Sequence, residues 1–102
     1  MKISKDKINK IKEGILSVLY SNSPKLLFTS EIAHEIARDE EFTKTLLNEL
    51  AKDDLVASVK KNPEGIKYSL RTRWRLSSKA YEAYNDLEQK QVLYDEENHT
   101  YM

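Results

Sequence analysis

The 102-residue sequence contains no cysteine and has only two glycines and two prolines. Without cysteine, the chain has no disulfide, no thiol nucleophile and no cysteine-ligated zinc. Gly14 and Gly65 are too far apart in the sequence to form a glycine-rich loop around a phosphate. No apolar run approaches the roughly 20 residues that cross a bilayer, and the N-terminus lacks the apolar segment of a secretory signal. We therefore expect one soluble domain in a reducing, cytoplasmic setting.

Groups that catalyse reactions are also scarce. The two histidines, His34 and His99, are far apart in the sequence and do not complete a zinc site without further ligands. No nucleophile stands in a recognisable arrangement with a base. The sequence therefore predicts a protein that is not an enzyme and that has no cofactor and no metal.

Charge is balanced over the whole chain but not along it. Lys+Arg and Asp+Glu each total 17, so the formal net charge is zero. Residues 1–26 carry a net charge of +4 and residues 56–81 one of +6, whereas residues 27–55 and 82–102 each carry −5. Because local potential steers a charged partner more than net charge does, the basic segments favour an anionic partner. The cysteine-free, Lys-, Ile- and Glu-rich composition is also typical of archaeal and thermophilic proteins.

The first quarter of the chain predicts a helix and a short strand. Ser4 is the expected N-cap of an amphipathic helix over residues 5–20, whose apolar residues repeat every three or four positions. Its other face carries lysines, for which solvation is the simpler explanation and contact with flanking phosphates the alternative: Lys5, Lys7, Lys10 and Lys12. Residues 26–28 predict a short strand after a break at residues 21–24.

Two further helices follow, separated by a three-residue break. Thr29 or Ser30 is the expected cap of the second helix. Residues 38–40 are the break, and Asp39 within it is the expected N-cap of a third helix that ends near Asp53. Two helices joined by so short a turn predict a helix-turn-helix.

A two-stranded hairpin is predicted next. Residues 56–61 form the first strand, residues 62–65 (Asn-Pro-Glu-Gly) the turn, and residues 66–76 the return strand. The return strand is longer than its partner, so its far end can pair with the strand at residues 26–28. The predicted order of elements is helix, strand, helix, helix, strand, strand and helix. This order predicts an α+β, mainly helical fold, the winged helix-turn-helix.

The return strand carries arginine at every second position. Arg71, Arg73 and Arg75 share one face because side chains alternate along a strand. The opposite face is apolar and is expected to join the core, with Tyr68, Leu70, Trp74 and Leu76. A strand that is cationic on one face predicts a surface for phosphates, although the arginines also suit a solvated sheet or pairing with nearby acids.

Ser77 or Ser78 is the expected cap of a last helix, with apolar residues on one side: Ala80, Tyr81, Tyr84 and Leu87. Residues 1–90 form the predicted winged-helix domain, and residues 91–102 an acidic tail that we expect to be loose. Residues 92–94 suit either an extension of the helix or a strand.

Several segments resemble the helix-turn-helix core of the MarR-like winged-helix regulators. These are residues 29–33 (Thr-Ser-Glu-Ile-Ala), residues 46–56 (Leu-Leu-Asn-Glu-Leu-Ala-Lys-Asp-Asp-Leu-Val) and the strand-to-helix exit at residues 75–80. The resemblance covers about 60 residues. It implies a winged-helix fold and is unspecific for function, because the matching residues are mostly packing positions. Together with the basic wing, it leads us to expect a DNA-binding protein that regulates transcription.

The chain departs from those regulators in two ways. They usually have glycine in the helix–helix turn and before the Leu-Val pair, where this chain has Ala37 and Asp54, so we expect turns of different shape. They usually present Ser, Thr or basic groups at the start of the recognition helix, where this chain presents Glu40 and Glu41.

The predicted partner is double-stranded DNA. In the third helix, Lys44 suits a guanine edge, Asn48 an adenine edge and Glu41 a cytosine amino group. The full set of predicted DNA-binding residues is Lys44, Thr45, Asn48, Lys52, Lys60, Lys61, Lys67, Arg71, Arg73 and Arg75.

Two alternatives remain open on the sequence alone. The acidic start of the third helix also suits a winged-helix module that binds protein, as an adaptor or a subunit of a larger complex. Tyr81, Tyr84 and Leu87 suit either packing on the first helix or a homodimer through the last helix.

Overall fold

Helices pack around a small antiparallel sheet in the computed structural model, which describes the backbone of residues 3–59 and 72–99 and side chains as far as Lys90. In the described part of the chain the elements are α1 (Lys5–Asn22), β1 (Leu27–Phe28), α2 (Thr29–Glu35), α3 (Glu40–Lys52), β2 (Val56–Val59), β3 (Arg73–Leu76) and α4 (Ser78–His99). Their types and order confirm the predicted winged-helix arrangement.

The N-terminal helix α1 begins where the sequence predicts. The Ser4 hydroxyl oxygen accepts a hydrogen bond from the Lys7 backbone N–H at 3.2 Å, so Ser4 is the N-cap. Ile15 and Leu19 are buried on its inner face. The helix continues two residues beyond the predicted end, to Asn22, whose side chain donates to the Val18 carbonyl at 2.8 Å.

The predicted cap of α2 was wrong. The N-cap position is Phe28, and Thr29 is the first residue of the helix. The Thr29 hydroxyl instead accepts a hydrogen bond from Trp74 Nε1 at 2.8 Å, so a buried tryptophan from β3 uses the group that was expected to cap the helix. The Glu31 carboxylate accepts from the Phe28 backbone N–H at 2.9 Å and satisfies the helix start.

Asp39 caps α3 as predicted. Its Oδ2 atom accepts from the Phe42 backbone N–H at 3.1 Å. Three leucines at helical spacing, Leu46, Leu47 and Leu50, are at most 2% exposed and anchor α3 in the core. The opposite face of α3 is therefore fixed toward solvent.

The two turns that flank α3 keep a glycine-type backbone without glycine. Ala37, before α3, has a φ of 54°, and Asp54, after it, has a φ of 59°. Both values lie in the left-handed region that glycine favours. The expectation of turns with a different shape was wrong in this respect, because the fold holds alanine and aspartate in that conformation. The strain is about 1–2 kcal/mol for an alanine and less for an aspartate, which tolerates the region better.

The sheet has the strand order β1-β3-β2, with both pairs antiparallel. Leu27 pairs with Trp74, which confirms the predicted contact between the short strand and the far end of the return strand. Trp74 and Leu76 are buried against the helices, while Arg75 on the opposite face is exposed. The alternation predicted for the return strand is confirmed for these residues.

The C-terminal helix continues further than expected. The Ser77 hydroxyl accepts from the Ala80 backbone N–H at 3.1 Å, which decides between Ser77 and Ser78 as the cap. The backbone of α4 is helical to His99, so residues 92–94 extend the helix. The predicted turn at residues 62–65 and the first part of the return strand lie outside the described residues.

Candidate nucleic-acid interface

One face of α3 is exposed along its whole length. Lys44, Asn48 and Lys52 are spaced four residues apart and form one line on this face. The acidic residues Glu40 and Glu41 lie at its N-terminal end, where a carboxylate also stabilises the helix dipole. The structure therefore places the predicted base-reading residues together on one exposed surface.

Thr45 lies on the same exposed face, but its hydroxyl hydrogen is already used in a hydrogen bond within the helix. Its hydroxyl donates a hydrogen bond to the Glu41 carbonyl, one turn back, at 3.0 Å. The side chain can therefore meet a partner only through its acceptor lone pairs or its methyl group. Of the predicted α3 residues, Thr45 is the least suited to donate to a base.

An ion pair joins α1 to the exposed side of α3. Lys12 Nζ lies 3.0 Å from Glu49 Oε1 and donates a hydrogen bond to it. The lysine side chain is 19% exposed and the glutamate side chain 49% exposed. Sequence reasoning missed this pair, because the partners are 37 positions apart and lie on different helices. Lys12 is thus not the free, solvated lysine that the helix pattern suggested.

The two described wing arginines share the outer face of the sheet but have different surroundings. The Arg73 guanidinium lies over the Phe28 ring, 5.2 Å from its centroid, in a cation–π contact. Arg75 Nη1 donates to the Leu76 carbonyl at 3.0 Å. Arg75 also lines an open cavity of about 530 Å³ with Lys25 and Tyr81, at the base of the wing and beside α4.

Four of the predicted DNA-binding residues fall outside the described residues. They are the cations nearer the hairpin tip: Lys60, Lys61, Lys67 and Arg71. Their predicted role in DNA binding rests on the sequence pattern alone.

An aromatic cluster joins α4 to α1. The Tyr20 ring centroid lies 5.5 Å from that of Tyr81 and 5.4 Å from that of Tyr84. The Tyr20 hydroxyl donates to the Glu88 carboxylate, and this hydrogen bond, together with desolvation, raises the pKa of Tyr20 to about 12. Burial raises the pKa of Tyr84. The two α4 tyrosines therefore pack on the first helix, while Leu87 remains 63% exposed.

The described ranges, 3–59 and 72–99, contain neither a membrane-spanning helix nor a cluster of metal ligands. No helix there is long and apolar enough to cross a membrane. Among the same residues, no three side chains of His, Asp or Glu come together as metal ligands.

Neither a family model nor a curated protein matches the sequence. The fold, in contrast, matches solved structures. A mutant of ZitR from Lactococcus lactis, in its apo form, is 18% identical with a TM-score of 0.60, over 95% of this chain and 71% of that one. The Staphylococcus aureus MepR–DNA complex is 20% identical with a TM-score of 0.63, over 95% of this chain and 81% of that one.

A third neighbour is a MarR family transcriptional regulator from Silicibacter pomeroyi DSS. It is 17% identical with a TM-score of 0.63, over 90% of this chain and 58% of that one. This chain therefore spans a little over half of that regulator's length. At these identities the likeness defines a fold: the protein is a winged-helix protein with the architecture of MarR-family structures.

Proposed function

We propose that this protein binds duplex DNA and regulates transcription. The observation that carries the proposal is the exposed line of Lys44, Asn48 and Lys52 on the second helix of a winged helix-turn-helix. In this class of fold the second helix enters the major groove. The structural likeness to MepR, which has been solved in complex with DNA, gives further support.

The residues divide into those that read bases and those that hold the backbone. Lys44 suits the acceptor edge of guanine, and Asn48 suits adenine. Thr45 offers its methyl group or an acceptor, and Lys52 suits a phosphate. On the wing we assign phosphate contacts to Arg73 and Arg75, together with the cations nearer the tip, Lys60, Lys61, Lys67 and Arg71.

The test is a fluorescence-anisotropy titration of the protein on random-sequence duplex DNA at two salt concentrations. If about four phosphates are neutralised, affinity should fall roughly 100-fold between about 50 and about 200 mM salt, because the logarithmic slope is about −0.9 per contact. Salt-sensitive binding would justify a selection for the preferred sequence. An affinity that does not change with salt would contradict phosphate contact.

One observation favours a second candidate, a module that binds a basic protein. Glu40 and Glu41 are exposed at the start of α3, and in the described part of the chain no lysine or arginine lies within 4.0 Å of either. Two free carboxylates repel phosphates and attract cations. A flat salt response on DNA would therefore direct the next experiment to the capture of basic partners.

We also propose that the protein acts as a homodimer through α4. Leu87 is 63% and Tyr81 42% exposed on this helix, although Tyr81 and Tyr84 also pack on α1 of the same chain. A helix-turn-helix dimer can read two half-sites about one turn of DNA apart.

The oligomeric state can be measured by sedimentation velocity over a range of protein concentrations. We expect the wild-type protein to sediment as a dimer and Leu87→Lys to shift toward the monomer, because a charge at an apolar contact is costly to bury. Gln89→Lys, at an exposed position two residues further on and therefore on the opposite side of α4, is the matched control. A wild-type protein that stays monomeric at all concentrations would exclude the dimer.

A further inference from the structure

The ion pair between Lys12 and Glu49 joins α1 to α3, next to the residues that we assign to DNA. A role of this pair in DNA binding rests on the proposed function. Glu49 is next to Asn48 in sequence and three residues before Lys52, on the exposed side of α3. Residues three apart on a helix are neighbours on its surface. Without its partner Lys12, the Glu49 carboxylate could therefore reach Lys52. We assign Lys52 to a phosphate contact.

Two effects of a free Glu49 would weaken DNA binding. Its carboxylate would repel phosphates near α3, and it would compete with a phosphate for the ammonium group of Lys52. In the structure Glu49 Oε1 is instead bound at 3.0 Å by Lys12 Nζ from α1, and among the described residues Lys52 is not within 4.0 Å of this carboxylate. The lysine side chain is only 19% exposed, so most of it is covered by the protein while its charge meets the carboxylate.

We propose that Lys12 is a positioning residue for DNA binding. It neutralises Glu49 and holds that carboxylate on the α1 side of α3, which leaves Lys52 free for a phosphate. Lys12 acts through Glu49 and makes no phosphate contact of its own. A cation from α1, which lies outside the helix-turn-helix, thereby neutralises one negative charge on α3.

The experiment is a double-mutant cycle on random duplex DNA, read by fluorescence anisotropy at several salt concentrations. Lys12→Ala should weaken binding about five-fold, because it exposes one carboxylate near the phosphates. In the Glu49→Gln background the same Lys12→Ala change should alter affinity less than about two-fold, since no carboxylate is left to expose. Lys12→Arg should retain wild-type affinity, because it preserves the ion pair.

Lys10→Ala is the matched control. Lys10 lies exposed on the same helix, and in the described part of the chain it has no acidic partner within 4.0 Å. Its removal takes away the same charge without exposing a carboxylate, so affinity should change less than about two-fold. Far-ultraviolet circular dichroism and thermal melts of every variant establish that the fold is retained.

The salt dependence separates positioning from direct contact. If Lys12 touched a phosphate, Lys12→Ala in the Glu49→Gln background would reduce the salt slope by about 0.9. That result, or equal losses from Lys10→Ala and Lys12→Ala, would overturn the proposal. A wild-type protein without salt-sensitive binding would instead refute the proposed function, and this inference with it, before any variant is compared.

Discussion

Replacing Trp74 with alanine is expected to lower the free energy of unfolding by about 3–5 kcal/mol. The side chain is 2% exposed and lies in β3, the middle strand of the sheet. It is opposite Leu27 of β1 and Ser58 of β2 and is part of the main apolar cluster. Its removal would leave a cavity where β1, β2 and the helices meet. Because domains of this size are stable by only about 5–15 kcal/mol, the variant should be close to unfolding.

Urea denaturation followed by far-ultraviolet circular dichroism is the measurement. Fluorescence is unsuitable, because Trp74 is the only tryptophan in the sequence and is lost in the variant. A loss of less than about 1 kcal/mol would contradict the central position of this side chain, since even modest cavities cost more.

The hydrogen bond of Trp74 can be tested separately from its volume. Thr29→Val removes the acceptor of the 2.8 Å bond and leaves the indole N–H buried without a partner, so we expect a loss of about 1–3 kcal/mol. Combining it with Trp74→Phe removes both partners, and the two effects should then be less than additive. Additive losses would show that the bond contributes little.

Reversing the charge of Lys44 and Lys52 together should lower DNA affinity about 100-fold or more at low salt. The double variant loses two cations on the exposed line of α3 and places two carboxylates opposite the DNA backbone. Lys44→Glu with Lys52→Glu would leave α3 with an acidic outer face from Glu40 to its C-terminal end. The measurement is the anisotropy titration on random duplex DNA.

The matched control reverses two exposed lysines of α4, Lys79 and Lys90. Lys79→Glu with Lys90→Glu changes the net charge by the same amount on a helix that we do not assign to base reading. We expect its affinity to stay within about three-fold of wild type. If both double variants lose affinity equally, net charge and not α3 determines binding, and the assignment of the recognition helix fails.

Much of the fold follows from local patterns. The caps Ser4 and Asp39 were predictable because a small polar side chain before an apolar repeat has few other uses there. The leucines of α3 and the buried Trp74 follow from the helical and strand periods. These signals are local, so one sequence is enough to interpret them.

The errors and omissions arose from contacts between distant residues. Thr29 lies inside α2 and does not cap it, and its hydroxyl binds Trp74, 45 positions away. Lys12 is paired with Glu49, 37 positions away, and no helix pattern contains that information. Ala37 adopts a left-handed backbone that its type disfavours, and only the packing of α2 against α3 explains why it stays there.

The candidate site was predicted in part. The exposed face of α3 was a direct consequence of its buried leucines, so the positions of Lys44, Asn48 and Lys52 followed from the helix period. Their partners did not follow, since the bond of Thr45 to the Glu41 carbonyl and the contact of Arg73 with Phe28 depend on side-chain conformation. The nucleic-acid role of these residues stays a prediction.

The sheet order also bears on how the protein avoids aggregation. A strand at the edge of a sheet offers unpaired backbone groups to other chains, and natural proteins limit this hazard by keeping edge strands short. Here β3, which carries Trp74, is flanked on both sides, and one flank is closed by the two residues of β1. In the described part of the chain β1 pairs with Arg73 and Trp74 of β3 and leads directly into α2, so β1 itself offers a neighbouring molecule an edge of only two residues. The short strand thus protects Arg73 and Trp74 of the central strand from edge-to-edge pairing between molecules.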